Sequence, residues 1–219
     1  MISPVTRSKA EAKRSYNRLS RWYDLLSGSS EAKYRRLGLE LLNTQPEEAV
    51  LEIGFGTGQA LLTLARAVGK TGQVAGLDLS DGMLAAAQAR LRSAGLAGRV
   101  HLQVGDGAQL PFEAEAFDAV FMSFTLELFD TPEIPIILSQ CRTVLRPGGR
   151  ICIVSLVKSP HPGWPERTYE WFHARLPGVV DCRPILAQAS LGEAGFSIWK
   201  VISQFMWGLP IEVILAGKG

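Results

Sequence analysis

The chain of 219 residues is 47% hydrophobic and 20% charged, a balance typical of a folded globular protein and not of a disordered one. Its formal net charge of +2 favours neither a nucleic-acid nor an acidic partner, and no apolar run reaches the roughly 18 residues that a membrane-spanning helix needs. The first residues do not resemble a signal peptide, and the three cysteines form no close-spaced pair. We therefore expect a cytoplasmic protein with reduced thiols and without a metal site.

Positive charge is concentrated near the N-terminus. Residues 1–38 hold nine Lys/Arg against three Asp/Glu. Within residues 8–26, aromatic and leucine side chains recur on one face, which predicts a basic amphipathic helix. Such a helix either lies on an anionic membrane surface or packs over the domain and covers its ligand. A second helix is predicted from a Ser30 cap to about Asn43, and residues 1–45 are expected to form a helical cap over the ligand site.

A glycine-rich turn follows the first predicted strand, residues 49–53, and precedes a predicted helix over residues 60–68. Its three glycines stand at alternate positions: Gly54, Gly56 and Gly58. A strand, a glycine turn and a helix N-terminus together bring a ligand close to bare backbone amides. Gln59 stands where the dinucleotide-binding fingerprint needs glycine or alanine. Glu52, just before the turn, would repel a pyrophosphate but suits a cationic ligand such as S-adenosylmethionine (SAM), which carries an ammonium and a sulfonium group.

Strand and helix signals then alternate along the chain. Further strands are predicted at residues 73–77, 100–104, 117–122 and 150–157, and helices at residues 82–94 and 132–145, the latter closed by a turn at 146–149. This alternation implies a parallel sheet with helices on both faces. Two last strand-like runs, 195–202 and 210–216, are joined by a short connection, which allows an antiparallel pair but no parallel crossover.

With the glycine turn, Asp78 and Asp106 in place, the chain resembles the class I SAM-dependent methyltransferases. It is most similar to the ubiquinone/menaquinone C-methyltransferase (methyltransferase type 11) branch and its small-molecule and lipid relatives. The matching segments are Tyr23-Asp24, Leu51–Gly58, Gly76–Ser80, Met83-Leu84, Gly105–Gly107, Leu110–Phe112, Phe117-Asp118 and Leu145–Arg150. The resemblance implies an α/β Rossmann-like fold, a seven-stranded mostly parallel sheet with an antiparallel last strand. Residues 46–219 would form the methyltransferase domain, with an acceptor-side lid over residues 158–194.

Each matching residue has a role in that interpretation. The three glycines would admit the methionine part of SAM, and Glu52 would attract its ammonium group. Asp78, at the end of the second strand, suits both ribose hydroxyls. Asp106 would meet the adenine amino group, or form only an Asx turn. The other predicted cofactor residues are Leu79 and Met83 beside the adenine, the Gly107 backbone, Ser123 near the methyl group, and Tyr23, which either reaches over SAM or is a core aromatic.

The implied reaction is direct in-line displacement of the sulfonium methyl group by the acceptor, which leaves S-adenosylhomocysteine. Candidate bases for an oxygen or carbon acceptor are Glu127, Asp130 and His173, although a lone histidine among aromatic residues is more often a packed helix residue than a base. Glu127 stands where the quinone enzymes of this family have an arginine, a charge reversal that favours an amine-bearing or cationic acceptor over a quinone. The residues expected to line an apolar acceptor pocket, or to fill the core beneath the lid, are Phe124, Phe129, Trp164, Trp171 and Phe172.

The sequence therefore predicts a SAM-dependent methyltransferase that acts on a small-molecule or lipid-like acceptor. Nucleic acid is not expected as a substrate, because Met122–Thr125 replaces the Asn/Asp-Pro-Pro-Tyr tetrad that marks amine-methylating nucleic-acid enzymes. One alternative is a phospholipid (ethanolamine) N-methyltransferase that contacts a membrane peripherally through residues 8–26. Another is a non-catalytic module that binds SAM or a nucleotide. The oligomeric state is not predicted.

Overall fold

The computed structural model describes residues 8–20, 28–159, 163–175 and 182–219; the side chains at positions 19, 28–29, 170 and 172–174 are also outside the description. Its strands are β1 (Ala49–Ile53), β2 (Gln73–Asp78), β3 (Val100–Val104), β4 (Phe117–Ser123), β5 (Leu145–Leu156), β6 (Phe196–Met206) and β7 (Leu209–Lys218). Its helices are α1 (Lys9–Leu19), α2 (Gly28–Leu42), α3 (Gln59–Ala67), α4 (Asp81–Ser93), α5 (Ile134–Val144), α6 (Trp164–Arg175) and α7 (Ala187–Glu193). Two short 3-10 helices cover Ala97–Arg99 and Leu126–Leu128.

The seven strands form one sheet in the order β3-β2-β1-β4-β5-β7-β6. The first five in this order pair in parallel, and β7 runs antiparallel to both β5 and β6. The predicted terminal hairpin is confirmed. Its turn consists of Trp207 and Gly208, which both have positive φ, at 53° and 81°, as in the primed turns that match the twist of a hairpin. The predicted fold class, a Rossmann-like α/β sheet with an antiparallel last strand, is confirmed.

Each face of the sheet carries its own apolar core, because every residue of β1 is buried. On one face, α2, α3 and α4 cover side chains such as Val50, Phe121 and Val154. On the other face, α5 and α7 cover Leu51, Met122 and neighbouring residues. The parallel strands therefore end together at one edge, with helices on both sides.

Helix α2 belongs to the first of these cores. Its Tyr34 and Leu42 are buried there, and the Gly38 carbonyl accepts a hydrogen bond from Cys152 Sγ at 3.3 Å. The predicted boundary at residue 45 therefore does not coincide with a break in packing. Ser30 lies inside α2 and is not its cap, because the helix already includes Gly28.

Strand β5 corrects the predicted turn at residues 146–149. These residues belong to the strand, where they form a bulge between two pairs, Phe117 with Leu145 and Ala119 with Arg150. Gly148 has a φ of 74° in this bulge. The bulge is also held by Arg146, whose Nη1 donates to both carboxylate oxygens of Asp118, at 2.6 and 2.7 Å. A long-range ion pair thus keeps a turn-like sequence in the sheet.

Two further expectations concerned the cysteine thiols and membrane-spanning helices. Cys141 and Cys152 are buried and unbridged, and burial raises the pKa of each thiol to about 12. No helix of the described ranges is long and apolar enough to cross a bilayer.

Replacing Gly38 by alanine should lower the free energy of unfolding by about 1–3 kcal/mol, measured by urea denaturation. A Cβ at Gly38 would lie 2.6 Å from Val154 Cγ2 and 3.0 Å from Phe121 Cε2, and both side chains are fully buried. Gly192 of α7 is the matched control, because a Cβ there meets nothing within 4 Å. Gly192→Ala should stabilise the protein by up to about 1 kcal/mol. Equal effects of the two substitutions would contradict this packing of α2.

Candidate functional site

The glycine turn closes β1 in the conformation that only glycine adopts without strain. Gly54, Gly56 and Gly58 have φ values of 73°, 52° and 82°. A Cβ at Gly54 would lie 2.3 Å from Thr125 Oγ1, and one at Gly58 would lie 2.9 Å from Ala87 Cβ. A Cβ at Gly56 meets nothing within 4 Å. Two glycines therefore permit close packing of the turn, and the middle one borders open space.

Asp78 orients this turn. Its Oδ2 accepts a hydrogen bond from the Gly56 amide at 2.8 Å, and its Oδ1 accepts one from the Ser80 amide at 2.9 Å. Burial raises the pKa of Asp78, and the amides of Ser80, Gly56 and Leu79 partly offset this rise. Each carboxylate oxygen keeps a further lone pair, so Asp78 can still accept hydrogen bonds from a ligand's hydroxyls.

The turn is also tied to α4. Arg90 Nη1 donates to the Thr57 carbonyl at 2.6 Å and to Thr57 Oγ1 at 2.8 Å. Ser80 caps α4, because its Oγ accepts from the Met83 amide at 3.1 Å. Side chains from two neighbouring elements therefore hold the turn in place.

A cavity of about 400 Å³ opens at the carboxyl ends of β1, β2, β3 and β4. The predicted cofactor residues that line it are Glu52, Gly54, Gly56, Asp78, Leu79, Met83, Asp106, Gly107 and Ser123. Gly58 lies behind the cavity at the start of α3. The structure thus brings together residues that are spread over more than 70 positions of the chain, as the alternating pattern predicted.

Glu52 is buried in the cavity wall with an unsatisfied oxygen. Its Oε2 finds no hydrogen-bond partner in the described part of the chain. Burial raises the pKa of Glu52 well above its usual range; the positive charge of Arg35 lowers it, and the negative charge of Asp78 raises it further. Since a buried carboxylate without a partner is unfavourable, this oxygen suits a cationic ligand group.

Asp106 already has two partners. Its Oδ1 accepts from the Ala108 amide at 3.0 Å, which is the Asx turn considered as an alternative, and its Oδ2 accepts from Lys9 Nζ at 2.5 Å. Lys9 also contacts Glu133 Oε1 at 2.5 Å. Burial lowers the pKa of Lys9, but hydrogen bonds to Asp106 and Glu133 outweigh this and raise it. Sequence reasoning missed Lys9, because nothing local links it to residues about 100 positions away.

Helix α1 docks on α4 beside the cavity. Asn17 Oδ1 accepts from Ser80 Oγ at 2.6 Å and from the Gly82 amide at 2.9 Å, and Lys13 pairs with Asp81 at 2.7 Å. A Cβ at Gly82 would lie 2.9 Å from Asn17 Cα, so glycine is needed for this approach. The contacts favour a helix that packs over the ligand site, one of the two interpretations of residues 8–26. Residues 21–26 of that range, and Tyr23 with them, lie outside the described residues.

The structure does not bring Glu127 to the cavity. Glu127 is fully buried, is absent from the cavity lining, and accepts a hydrogen bond from the Leu156 amide at 3.2 Å through Oε1. The buried guanidinium of Arg183 lies near enough for the charge of Glu127 to raise its pKa, whereas burial lowers that pKa overall. This placement indicates a structural role, and the charge-reversal argument for a cationic acceptor loses its basis.

The other predicted acceptor residues divide into two groups. Phe124 and Phe129 line the cavity, and Asp130 lines it as well. Trp164 and Trp171 are exposed instead, and no described residue of 158–194 lines this cavity. The side chains of Phe172 and His173 lie outside the description.

Helices α1 and α2 supply cavity residues that sequence reasoning did not single out. They are Ser8, Lys9, Ala12, Tyr16, Glu31 and Arg35. Phe124 was expected at the cavity but not in its observed conformation, a φ of 51°, which is rare for a bulky side chain and frequent at functional sites. No local sequence signal reports either feature.

Comparison with known proteins agrees with this geometry. Residues 50–149 match a family model described as a methyltransferase domain. The ubiquinone/menaquinone biosynthesis C-methyltransferase UbiE of Ectopseudomonas mendocina is 36% identical over 139 residues, which make up 64% of this chain and 54% of that protein. Over these residues the chain is similar to methyltransferases. Its match spans about half the length of that curated relative.

Solved structures support the fold. A SAM-dependent methyltransferase from Aquifex aeolicus superposes with a TM-score of 0.69 at 20% identity, over 93% of this chain and 98% of that one. The [4+2]-cyclase SpnF superposes with a TM-score of 0.75 at 20% identity, over 99% of both chains. At such low identity these likenesses concern the fold alone, and one of them carries a name other than methyltransferase.

The site fits SAM on its own geometry. The unsatisfied Glu52 Oε2 matches an ammonium group, and Gly56 leaves space beside the backbone. Ser123 Oγ is likewise buried without a partner in the described residues. A dinucleotide would place phosphate charge against the Glu52 carboxylate, which the same geometry disfavours.

Glu52→Gln should increase the free energy of unfolding by about 1–2 kcal/mol at neutral pH, because the amide buries no charge. Since the pKa of Glu52 is raised in the folded state, its contribution to stability is most favourable below the ordinary carboxyl range and decreases as pH rises toward the raised value. The difference between variant and wild type should therefore grow with pH, as measured by thermal unfolding across the acid-to-neutral range.

Glu48→Gln provides a control of opposite sign. Burial raises the pKa of Glu48, but hydrogen bonds from Arg150 at 2.7 and 2.8 Å outweigh it and lower that pKa. Glu48 thus stabilises the fold above the ordinary carboxyl range and loses this contribution as pH falls through its lowered pKa. Glu48→Gln should destabilise at neutral pH, and two variants with the same sign would refute this assignment of charges.

Proposed function

We propose that this protein transfers the methyl group of SAM to a small, largely apolar acceptor. The observation that carries the proposal is the buried, unsatisfied Glu52 oxygen in the wall of the cavity at the glycine turn. The remaining lining is rich in apolar side chains, and the relative from Ectopseudomonas mendocina is named for C-methylation in quinone biosynthesis. An apolar or aromatic acceptor, with a reduced quinone as the first candidate, agrees with both.

Residues that line the cavity would bind both the amino-acid end and the nucleoside end of SAM. Glu52 would accept hydrogen bonds from the ammonium, and Arg35 would bind the carboxylate of the same amino acid. Arg35 lines the cavity, and its charge acts on Glu52. Asp78 would accept from the ribose hydroxyls, while Leu79 and Met83 would flank the adenine. Asp106, which accepts a hydrogen bond from Lys9, and the Gly107 backbone would lie beside the adenine amino group.

The acceptor would lie among apolar side chains. The apolar or aromatic residues that line the cavity include Ala12, Tyr16, Phe124, Leu128, Phe129 and Pro132. They exclude water and fix the direction of approach, which is the chief requirement for displacement at an activated methyl group. The doubt that Glu127 raised about a quinone acceptor does not apply here, because Glu127 lies outside this lining.

SAM supplies a methyl group that is already activated by its sulfonium. The chain has to position the acceptor in line with that group and, for an oxygen or carbon nucleophile, to take up a proton. Of the proposed bases, Asp130 lines the cavity and is therefore the candidate, with the Thr131 amide donating to its Oδ1 at 2.9 Å. His173 and Tyr23 stay predictions, because the side chain of His173 and all of Tyr23 lie outside the described part of the chain.

The alternatives differ in what they require. A phospholipid N-methyltransferase docked through residues 8–26 would need the basic side chains of α1, but Lys9 and Lys13 pair with carboxylates of the domain itself. A nucleotide-binding module should bind NAD, so competition of NAD with SAM would favour that alternative.

Cytoplasmic location and the exclusion of nucleic acid as a substrate remain predictions from the sequence.

Arg35→Gln should weaken SAM binding by about tenfold in calorimetric titration, because a charge-assisted hydrogen bond to the carboxylate is lost. The same substitution should leave the affinity for 5′-methylthioadenosine unchanged, since that nucleoside lacks the amino-acid part. Arg36→Gln is the matched control, because Arg36 is exposed and pairs with Glu40 on the helix surface at 3.5 Å. An equal loss of affinity for SAM and for the nucleoside would show that Arg35 does not bind the carboxylate.

Incubation with methyl-deuterated SAM and a reduced naphthoquinone with an apolar side chain should give a labelled acceptor, detected by mass spectrometry. Asp130→Asn should lower kcat by about 100-fold with SAM affinity retained, as expected of a general base. If Asp130→Asn methylates the naphthoquinol at the wild-type rate, Asp130 is not the base. Tight SAM binding with no labelled product from a panel of phenolic, quinol and amine acceptors would reject methyl transfer as the function.

A further inference from the structure

Four aromatic side chains form an exposed surface outside the cavity, here called the aromatic surface. Trp164 and Trp171 on α6 are 78% and 50% exposed, and Phe205 and Trp207 at the β6–β7 turn are 70% and 72% exposed. Large aromatic side chains are expected in the core, and a group of them in solvent marks an interaction site. The proposed methyl transfer uses none of them.

Helix α6 presents Trp164 and Trp171 on one stripe. At 100° per residue, the exposed side chains among those described on α6 fall within about 100° of the helix circumference. These are Trp164, Arg167, Thr168, Trp171 and Arg175. The opposite side is fastened to the domain: Glu166 accepts from the Ser159 and Gly163 amides, and Tyr169 donates to the Cys182 carbonyl at 3.0 Å. The stripe therefore faces away from the domain.

The hairpin turn continues this stripe. A Cβ at Gly208 would lie 3.2 Å from Pro165 Cβ, so the turn that carries Trp207 contacts the residue next to Trp164. Tyr34 Oη donates to the Phe205 carbonyl at 2.7 Å, and the Tyr34 ring meets Phe124 edge to face, with centroids 6.4 Å apart. Because Phe124 lines the cavity, Tyr34 connects the backbone of Phe205 to a residue of the proposed acceptor site.

Positive charge accompanies the aromatic surface. Arg167 is exposed on the stripe, and the Arg175 guanidinium lies 4.5 Å from the centroid of the Trp171 ring. Lys33 of α2 contacts Gln204 next to Phe205 at 3.3 Å. Among the described side chains of α6 the acidic one, Glu166, is buried. Tryptophans interleaved with arginines on one helix stripe match the headgroup layer of an anionic bilayer.

We propose that the aromatic surface docks on anionic phospholipid membranes and so places the cavity next to a lipid-dissolved acceptor. The bilayer contact itself does not depend on the reaction, and only the delivery of the acceptor rests on the proposed function. A protein partner would be expected to present carboxylates to the two arginines together with pockets for four aromatic side chains. A bilayer meets both needs with phosphate groups and acyl chains.

Sedimentation of the full chain with vesicles tests the proposal. The protein should pellet with vesicles of phosphatidylcholine and phosphatidylglycerol, and more weakly with phosphatidylcholine alone. The double variant Trp164→Ala/Trp207→Ala should lower the partition coefficient at least about tenfold on both vesicles. Arg167→Gln/Arg175→Gln should lower it about fivefold per arginine on the anionic vesicles and little on the neutral ones.

Trp199→Ala is the matched control. Trp199 is 53% exposed on β6, about 20 Å along the strand from Phe205 at roughly 3.3 Å per residue, and its loss should leave vesicle binding unchanged. Unchanged SAM affinity in every variant shows that folding is intact, because none of these residues lines the cavity.

Two outcomes would overturn the proposal. If Arg14→Gln/Arg18→Gln on α1 abolishes vesicle binding and the aromatic variants do not, the membrane contact lies on α1. The second outcome is a wild-type protein that binds neither kind of vesicle and is a dimer in light scattering. If Trp164→Ala/Trp207→Ala converts that dimer to a monomer, the aromatic surface binds a second copy of the chain. Failure of wild type to bind SAM would reject the proposed function while leaving vesicle binding as a separate result.

Discussion

A carboxylate buried at the end of the central strand is the constraint around which this site is organised. Glu52 lies on β1, between β2 and β4, so its side chain is far from bulk water and its pKa is raised. Burial of an acidic group without a full set of partners costs stability. The fold tolerates this because the glycine turn opens a cavity beside it, where a cationic ligand would complete its hydrogen bonds.

The surroundings of Glu52 are held by hydrogen bonds within the chain. Asp78 holds the glycine turn through the Gly56 amide, and Arg90 fixes its far side through Thr57. Helix α1 is held beside the cavity by Lys9 and Asn17. Contacts of this kind lower the loss of conformational entropy that accompanies ligand binding, and in the proposed methyl transfer they would also fix the approach of the acceptor.

The order of strands and helices was predictable because alternating apolar patterns and glycine turns report local structure directly. The glycine turn, Asp78 and Asp106 were predictable as one site, because parallel strands end at the same edge of a sheet. Local patterns misread residues 146–149, where the pairing of Arg146 with Asp118 keeps a turn-like sequence inside β5. They also misread Ser30, which is a good cap by composition but lies within α2.

By itself, the sequence determined the fold class and predicted most residues at the glycine-turn end of the cavity, since these depend on short motifs whose spacing is set by strand and helix geometry. Only the tertiary structure decided which charged groups meet the cavity. Lys9 and Arg35 line the cavity, whereas Glu127 is buried outside it, where its charge acts on Arg183. Trp164 and Trp171 are exposed to solvent. The reason is physical: a charge's role depends on its burial and its partners, and those partners lie far away in sequence.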